Sequence, residues 1–381
     1  MNETHHPRTS LPEDPPVNTA LKPARVLVIM VGVATLLAAC GSSSKSTSSS
    51  TTSGGGGGSS VSATINGAGS SFQKAFNEAA IAGFQQANSK ITVNYNPVGS
   101  GQGKSDLQTK TVDFAGTDSL PKASDLSSYQ GGTVLNFPTV AAPITVSYNL
   151  SGVDKLQLSG TTLAKIFSLK IKTWNDAAIA ADNPGVKLPS TAIVVAHRSD
   201  GSGTTANFTR FLTVVDPTDW TLGTGDTVKW TSLPGTTQGG TKNAGVAQIV
   251  KTTSGAVGYV DLADATAAGL HYASIKNKAG NFVAPTVDGA KAALAGTTVN
   301  ADLSYDPINA AGADAYPITS PTWIIAYTKQ TDHNKGTALK EFLQYIYDQG
   351  EALAPSVGYA PLPASTVSQA TAQLSKFQIP A

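Results

Sequence analysis

The chain has 381 residues, with 26 Lys and Arg against 25 Asp and Glu and a formal net charge of +1. Charge this sparse and balanced leaves no basic face for nucleic acid, and a single cysteine excludes an internal disulfide. Thirty-seven glycines set among recurring apolar runs indicate a globular protein with many tight turns rather than a disordered one.

The first elements belong to targeting. Lys22 and Arg25 precede an apolar run from Val26 to Leu37, which closes on Leu37-Ala38-Ala39-Cys40. A basic flank, a short apolar stretch and small residues before a cut describe a secretory signal over residues 1–39. The run falls short of the ~18–20 apolar residues that a spanning helix needs. Leu-Ala-Ala-Cys resembles a bacterial lipobox. That implies cleavage before Cys40, diacylation of its thiol, and a mature protein anchored at the outer face of the cytoplasmic membrane. Residues 41–60, GSSSKSTSSSTTSGGGGGSS, cannot bury a core. With Cys40 they form a flexible tether whose r.m.s. reach is about 25 Å.

Residues 61–381 are too many for one small core, which points to two lobes. Short apolar runs alternate with longer mixed segments, the pattern of α/β construction. Ser62–Ile65 reads as a strand, and Phe72–Ala87 as a helix with Phe72, Phe76, Ala80 and Phe84 on one face. Ile91–Tyr95 alternates as a strand and is followed by a helix near Ser105–Lys110; Val112–Ala115 is a third strand leading to Asp118. The apolar stretch Ala141–Tyr148 is long enough to carry the chain into another lobe. Beyond it come Leu163–Phe167, a Trp174–Ala181 helix, the strand Ala192–Ala196, a helix after Gly203 and the strand Val257–Val260. The strand Ile318–Tyr327 and an amphipathic helix over Lys335–Ala352 close the pattern.

Four small-residue stretches sit where apolar runs end: GAGSSF (67–72), GSGQG (99–103), AGTDS (115–119) and HRSDGSGT (197–204). They offer backbone N–H groups, hydroxyls, Arg198 and two acids, Asp118 and Asp200. That inventory suits wrapping a small oxyanion: donors on every side, one planar cationic fork, and an acceptor for a proton the anion carries. Bond-breaking chemistry has little support. PVGSGQGKS (97–105) misses the first glycine of a phosphate loop, because Val98 stands there. GSGTTA (201–206) is separated from its strand by Arg198, Ser199 and Asp200, unlike a dinucleotide loop. No nucleophile elbow appears, and His197, His271 and His333 are isolated, without metal-ligand spacing. No cofactor or metal is therefore expected.

At these residues the chain resembles the phosphate-binding lipoproteins of the Pst-type ABC importer. The likeness covers nearly all of 61–381 and is carried by GAGSSF, VGSGQG, TVDFAGTD (111–118), FPTV (137–140), IKTWNDAAIAADNPGVKLP (171–189), HRSDGSGT, VKW (228–230), GAVGYV (255–260) and YPITSPTW (316–323). The resemblance implies a two-lobed periplasmic-binding-protein fold of the second type, with crossover hinge strands. Lobe 1 is expected at 61–143 plus 318–381 and lobe 2 at 144–317. It implies a monomeric, non-enzymatic receptor that captures inorganic phosphate and delivers it to membrane permease subunits. By the same resemblance Ser71, Phe72 and Ser100 donate to the anion, Asp118 accepts its proton, and Arg198 clamps two oxygens. Ser202, Gly203 and Thr204 donate from the helix that follows, and Asp200 orients Arg198. Ser71 stands where the family often has Thr, and Gln73 where it often has Pro. Two alternatives stay open on the residues alone: an exported phosphatase or phosphotransferase, and a receptor for another oxyanion such as sulfate. The second is disfavoured because unprotonated sulfate would face the Asp118 carboxylate.

Overall fold

A computed structural model of the protein describes residues 59, 61–230 and 236–381. The leader, Cys40 and all of the tether except Ser59 lie outside the described residues. The folded part begins with β1 (Ala63–Gly69), α1 (Lys74–Ala87), β2 (Ile91–Asn96), α2 (Ser100–Gln108), β3 (Phe114–Thr117) and the long β4 (Val134–Tyr148). Next come β5 (Gln157–Leu158), α3 (Gly160–Phe167), α4 (Ala177–Asp182), β6 (Val194–Arg198), α5 (Gly203–Val215), β7 (Thr237–Gly240), α6 (Lys242–Thr252) and β8 (Ala256–Asp261). The chain continues through α7 (Leu262–Ala268), β9 (His271–Tyr272), β10 (Ser274–Lys276), β11 (Phe282–Val283) and α8 (Val287–Ala295). It ends with β12 (Thr319–Tyr327), α9 (His333–Asp348), β13 (Ala360–Pro361) and α10 (Ala364–Gln373).

The main sheet runs β2-β1-β3-β12-β4-β8-β6-β7, with β13 and β9 branching from β4. β1 lies parallel to β2 and β3, and β6 parallel to β7 and β8. β4 ties the two groups together. Val134–Pro143 pairs antiparallel with β12, and from Ile144 onward the strand pairs with β8. Every residue of β4 except Val134 and Asn136 is buried. That is why it reads as a continuous apolar run rather than an alternating one.

Helices cover the sheet through faces set by their sequence period. Phe76, Ala80 and Phe84 of α1 point inward, and the Phe84 ring lies 5.3 Å from that of Phe342 on α9. Among the later elements, Phe208 sits between Phe167 and Tyr259, with ring centroids 4.6 and 4.5 Å away.

Several element limits differ from the sequence expectation for local reasons. α2 starts at Ser100 rather than near 105, because Gly99 caps it at φ 103°, a conformation open to glycine, so the glycine-rich stretch becomes the first helical turn. Trp174 is not helical. Its indole N–H donates to the Gly255 carbonyl at 2.9 Å, and the helix waits for Asp176, whose side chain caps Ala178 N. α9 stops at Asp348 and passes into a 3₁₀ turn over Gly350–Val357, where Gly350 and Pro355 are both poor in an α-helix.

Candidate functional site

The C-terminal ends of β1, β3, β6 and β7 face a common crevice, the usual position for a ligand on a parallel sheet. Each strand hands over to a short turn, and three of those turns open directly into α1, α5 or α6. Helix first turns carry amides with no intrahelical partner.

Asp118 lies just past β3 and is buried. Its Oδ2 accepts from the hydroxyls of Ser70 (2.7 Å) and Ser100 (3.3 Å), and Oδ1 accepts from Gln73 Nε2 (3.4 Å). Burial pushes its carboxyl up to about 7, against the opposing pull of Ser70, Arg198, Gln73 and Ser100.

Arg198 ends β6 with its side chain only 1% exposed. Nε donates to Asp200 Oδ1 at 2.8 Å, Nη2 pairs with Asp200 Oδ2, and Nη1 points to Asn243 Oδ1 at 3.5 Å. Burial would raise the Asp200 carboxyl, but the Arg198 fork and the Lys242 amide (3.0 Å) hold it below its ordinary value. The guanidinium thus keeps two N–H bonds uncommitted to Asp200 or Asn243, in the planar geometry that suits an oxyanion.

The remaining expected residues join the same buried cluster. Ser71 Oγ accepts from the Asn243 amide at 3.3 Å, and Thr204 Oγ1 from Asn243 Nδ2 at 3.4 Å. Gly203 approaches so closely that a Cβ there would lie 2.7 Å from Asp118 Cβ and 2.8 Å from Ser100 Oγ. Phe72 N donates to Ser70 Oγ at 3.0 Å, while its carbonyl accepts from Tyr359 OH. Ser202 is largely committed elsewhere. Its amide donates to the Asp226 carbonyl (2.9 Å) and its hydroxyl oxygen caps Thr205 N (3.1 Å), which leaves the O–H as its one remaining donor.

Three residues not singled out by sequence, Ser70, Asn207 and Asn243, complete the cluster together with Gln73, which sequence marked only as a departure from the family pattern. Ser70 lies inside GAGSSF and makes the shortest of the three hydrogen bonds to the Asp118 carboxyl group. Gln73 bonds Asp118, the Thr117 carbonyl (2.9 Å) and the Trp323 carbonyl (3.0 Å), contacts a proline side chain cannot make. Asn207 of α5 donates through Nδ2 to the Asp118 carbonyl (2.6 Å) and to Ser320 Oγ (2.9 Å). Asn243 lies three residues past Gly239-Gly240, the small-residue pair that ends β7, a strand with no apolar run to announce it. A cleft of about 1090 Å³ adjoins Asp118 and is lined in part by Lys104, Ser119, Asp226 and Trp323. There Lys104 bridges the Ser119 carbonyl (3.0 Å) and Asp226 (2.7 Å), so the lysine of the phosphate-loop-like stretch turns away from that loop. His197 stacks on Trp230 at 4.8 Å and makes a hydrogen bond to the Arg198 carbonyl through Nδ1.

Chemically, the cluster surrounds a small volume with hydroxyl, amide and guanidinium donors and sets one carboxylate among them. Such an arrangement has the chemistry to hold an oxyanion and to accept a proton that it carries.

Comparison with known proteins follows the same line. The PBP superfamily domain matches residues 46–349. The phosphate-binding protein PstS of Pasteurella multocida is 37% identical over 81% of this chain and 89% of its own length. PstS 3 of Mycobacterium leprae is 34% identical over 80% of this chain and 85% of its own. Among solved structures, a high affinity periplasmic phosphate-binding protein (PfluDING) bound with phosphate superposes with a TM-score of 0.67 and 25% identity. That match covers 82% of this chain and 94% of the other. The fold is thus the two-lobed periplasmic-binding-protein architecture.

Proposed function

The chain belongs to the PstS family of phosphate-binding proteins within the PBP superfamily, and on that footing we propose that it captures inorganic phosphate outside the cytoplasmic membrane and delivers it to the permease of an ABC importer. The observation that carries this reading is Asp118, a buried carboxylate set among donors and poised beside Arg198. Monohydrogen or dihydrogen phosphate can donate to it. Fully ionised sulfate has no hydrogen to give, and above about pH 7, where Asp118 is ionised, it meets a like charge instead.

Ser71, Ser100, Arg198, Gly203 and Thr204 supply the donors in this reading, Phe72 joins them only by turning its N–H away from Ser70 Oγ, Ser202 adds its one free O–H, and Asp200 orients Arg198. Lobe 1 comprises 61–143 with 318–381, and lobe 2 comprises 144–317. The change of partner in β4 between Pro143 and Ile144 supports that division, as does the bond from Ile144 N to the Ile318 carbonyl at 2.8 Å. The protein acts as a monomeric receptor rather than an enzyme, a view supported by relatives named for binding and by a His197 ring engaged with Trp230. It is held at the membrane by lipid on Cys40. Among the described residues no helix is long and apolar enough to cross a membrane.

Equilibrium dialysis of the purified protein against labelled phosphate tests the reading. One phosphate per chain, retained in a large excess of sulfate, with a phosphomonoester left intact, is the expected result. Displacement by sulfate at equal concentration, or hydrolysis of the ester, would overturn it.

A further inference from the structure

Asn243 lies in the first turn of α6 and is fully buried among Arg198, Ser71 and Thr204. The orientation of its amide follows from chemistry. Arg198 has donors and no acceptor, so the Asn243 oxygen must face Nη1, 3.5 Å away, and the NH₂ must face the two hydroxyls. Nδ2 accordingly donates toward Ser71 Oγ (3.5 Å) and Thr204 Oγ1 (3.4 Å), and the Asn243 backbone N–H also donates to Ser71 Oγ (3.3 Å). A hydroxyl has two acceptor lone pairs and one hydrogen. Ser71 takes two N–H groups, so both lone pairs are engaged and its hydrogen must leave in another direction. Thr204 is biased the same way by one.

We propose that Asn243 is a specificity-determining positioning residue: it fixes the Ser71 and Thr204 hydroxyls as donors toward the anion and leaves Asp118 to receive the ligand's proton. The proposal rests on the phosphate-receptor reading above. It means that the pocket has room for one ligand proton and no acceptor for a second. Without the Asn243 side chain, either hydroxyl can turn and accept that second proton, so the monoanion gains relative to the dianion.

The charged and titratable groups around Asn243 and its partner Arg198 are Arg198 at the end of β6 with Asp200 just beyond it, Asp118 just past β3, Tyr259 of β8, and its own neighbour Lys242. Asp261 and Asp264 join them at the start of α7, which packs on α6 and is the same in wild type and variant. Arg198 and Asp200 stay paired, with Asp200 held below its ordinary value. Burial pushes the Tyr259 hydroxyl up to about 12, so it keeps its hydrogen. Lys242 contributes its backbone N–H to Asp200. Asp118 titrates in wild type and variant alike and cancels in the comparison.

The test is phosphate affinity against pH for wild type, Asn243→Ala and Asn243→Leu, the last filling the space with an apolar group of similar size. As pH falls from about 7 to 5 the wild type should lose affinity more steeply than either variant, by up to one proton, or about tenfold per pH unit. A purely structural Asn243 would lower affinity equally at every pH and give parallel slopes, which would overturn the proposal. Either variant alone decides it if the other does not fold. If the wild type binds no phosphate at any pH, it is the receptor reading that fails instead.

Discussion

Arg198 is held by Asp200 through two nitrogens, which fixes the direction of its remaining N–H groups and lowers the cost of ordering it around an anion. Replacing it with Ala removes one partner of a desolvated charge pair and should weaken phosphate binding by ~2–5 kcal/mol. Arg198→Lys should restore little, because an ammonium lacks the planar fork; calorimetric titration of both variants checks this. Asp118 carries a second consequence. Its folded pKa of about 7 lies above the ordinary 3.8, so the native state keeps a proton that the unfolded chain has released. Stability of the ligand-free protein should therefore fall as pH rises from about 4 to 7, and Asp118→Asn should flatten that part of the curve. Urea midpoints at several pH values would measure it, with buried Glu351, pushed up to about 8, contributing in the same sense in both proteins. Arg198, Asp118 and Asp200 were legible in the sequence because charged residues stand out in glycine- and serine-rich turns. Ser70 and Asn243 were not, since a neutral hydroxyl or amide gains its role only from the partner that tertiary structure brings to it.

At the scale of elements, the turn between β6 and α5 decides how closely the two sides of the site approach. A methyl on Gly203 would collide with Asp118 Cβ and Ser100 Oγ. Gly203→Ala should leave the fold intact, because the residue begins α5 on its own side, yet weaken phosphate binding at least tenfold, ~1.4 kcal/mol. Unchanged affinity in a titration of that variant would mean that the approach is not needed. The strands bearing the site were readable from apolar runs that end in small residues. The β7–α6 junction was hidden: Thr237-Gln238-Gly239-Gly240 is polar and pairs only with β6, so no apolar signal marks it as a strand. The long helix α9 was visible through Leu339, Phe342, Leu343 and Ile346, while its end depended on Gly350 and Pro355.

For the whole molecule, β4 is the element that ties the two groups of strands together, and it is buried from Phe137 onward. The two-lobed plan was legible from chain length and from the family motifs. The apolar stretch itself does not mark where β4 changes partner, because Pro143 and Ile144 sit within one unbroken run; only the family resemblance put a lobe limit there. Across that plan Lys104 and Ser119 meet Asp226, and Gly101 N donates to the Gly201 carbonyl at 3.0 Å, so the walls of the crevice already touch. A site enclosed this way strips the anion of water, and selectivity then falls to the groups that line it. The most direct measurement is calorimetric titration of wild type and Asp118→Asn with phosphate and with sulfate. An amide can accept the phosphate proton or rotate to donate to sulfate, so the ratio of phosphate to sulfate affinity should fall at least tenfold, ~1.4 kcal/mol. An unchanged ratio would contradict the account, because selectivity would then lie somewhere other than Asp118.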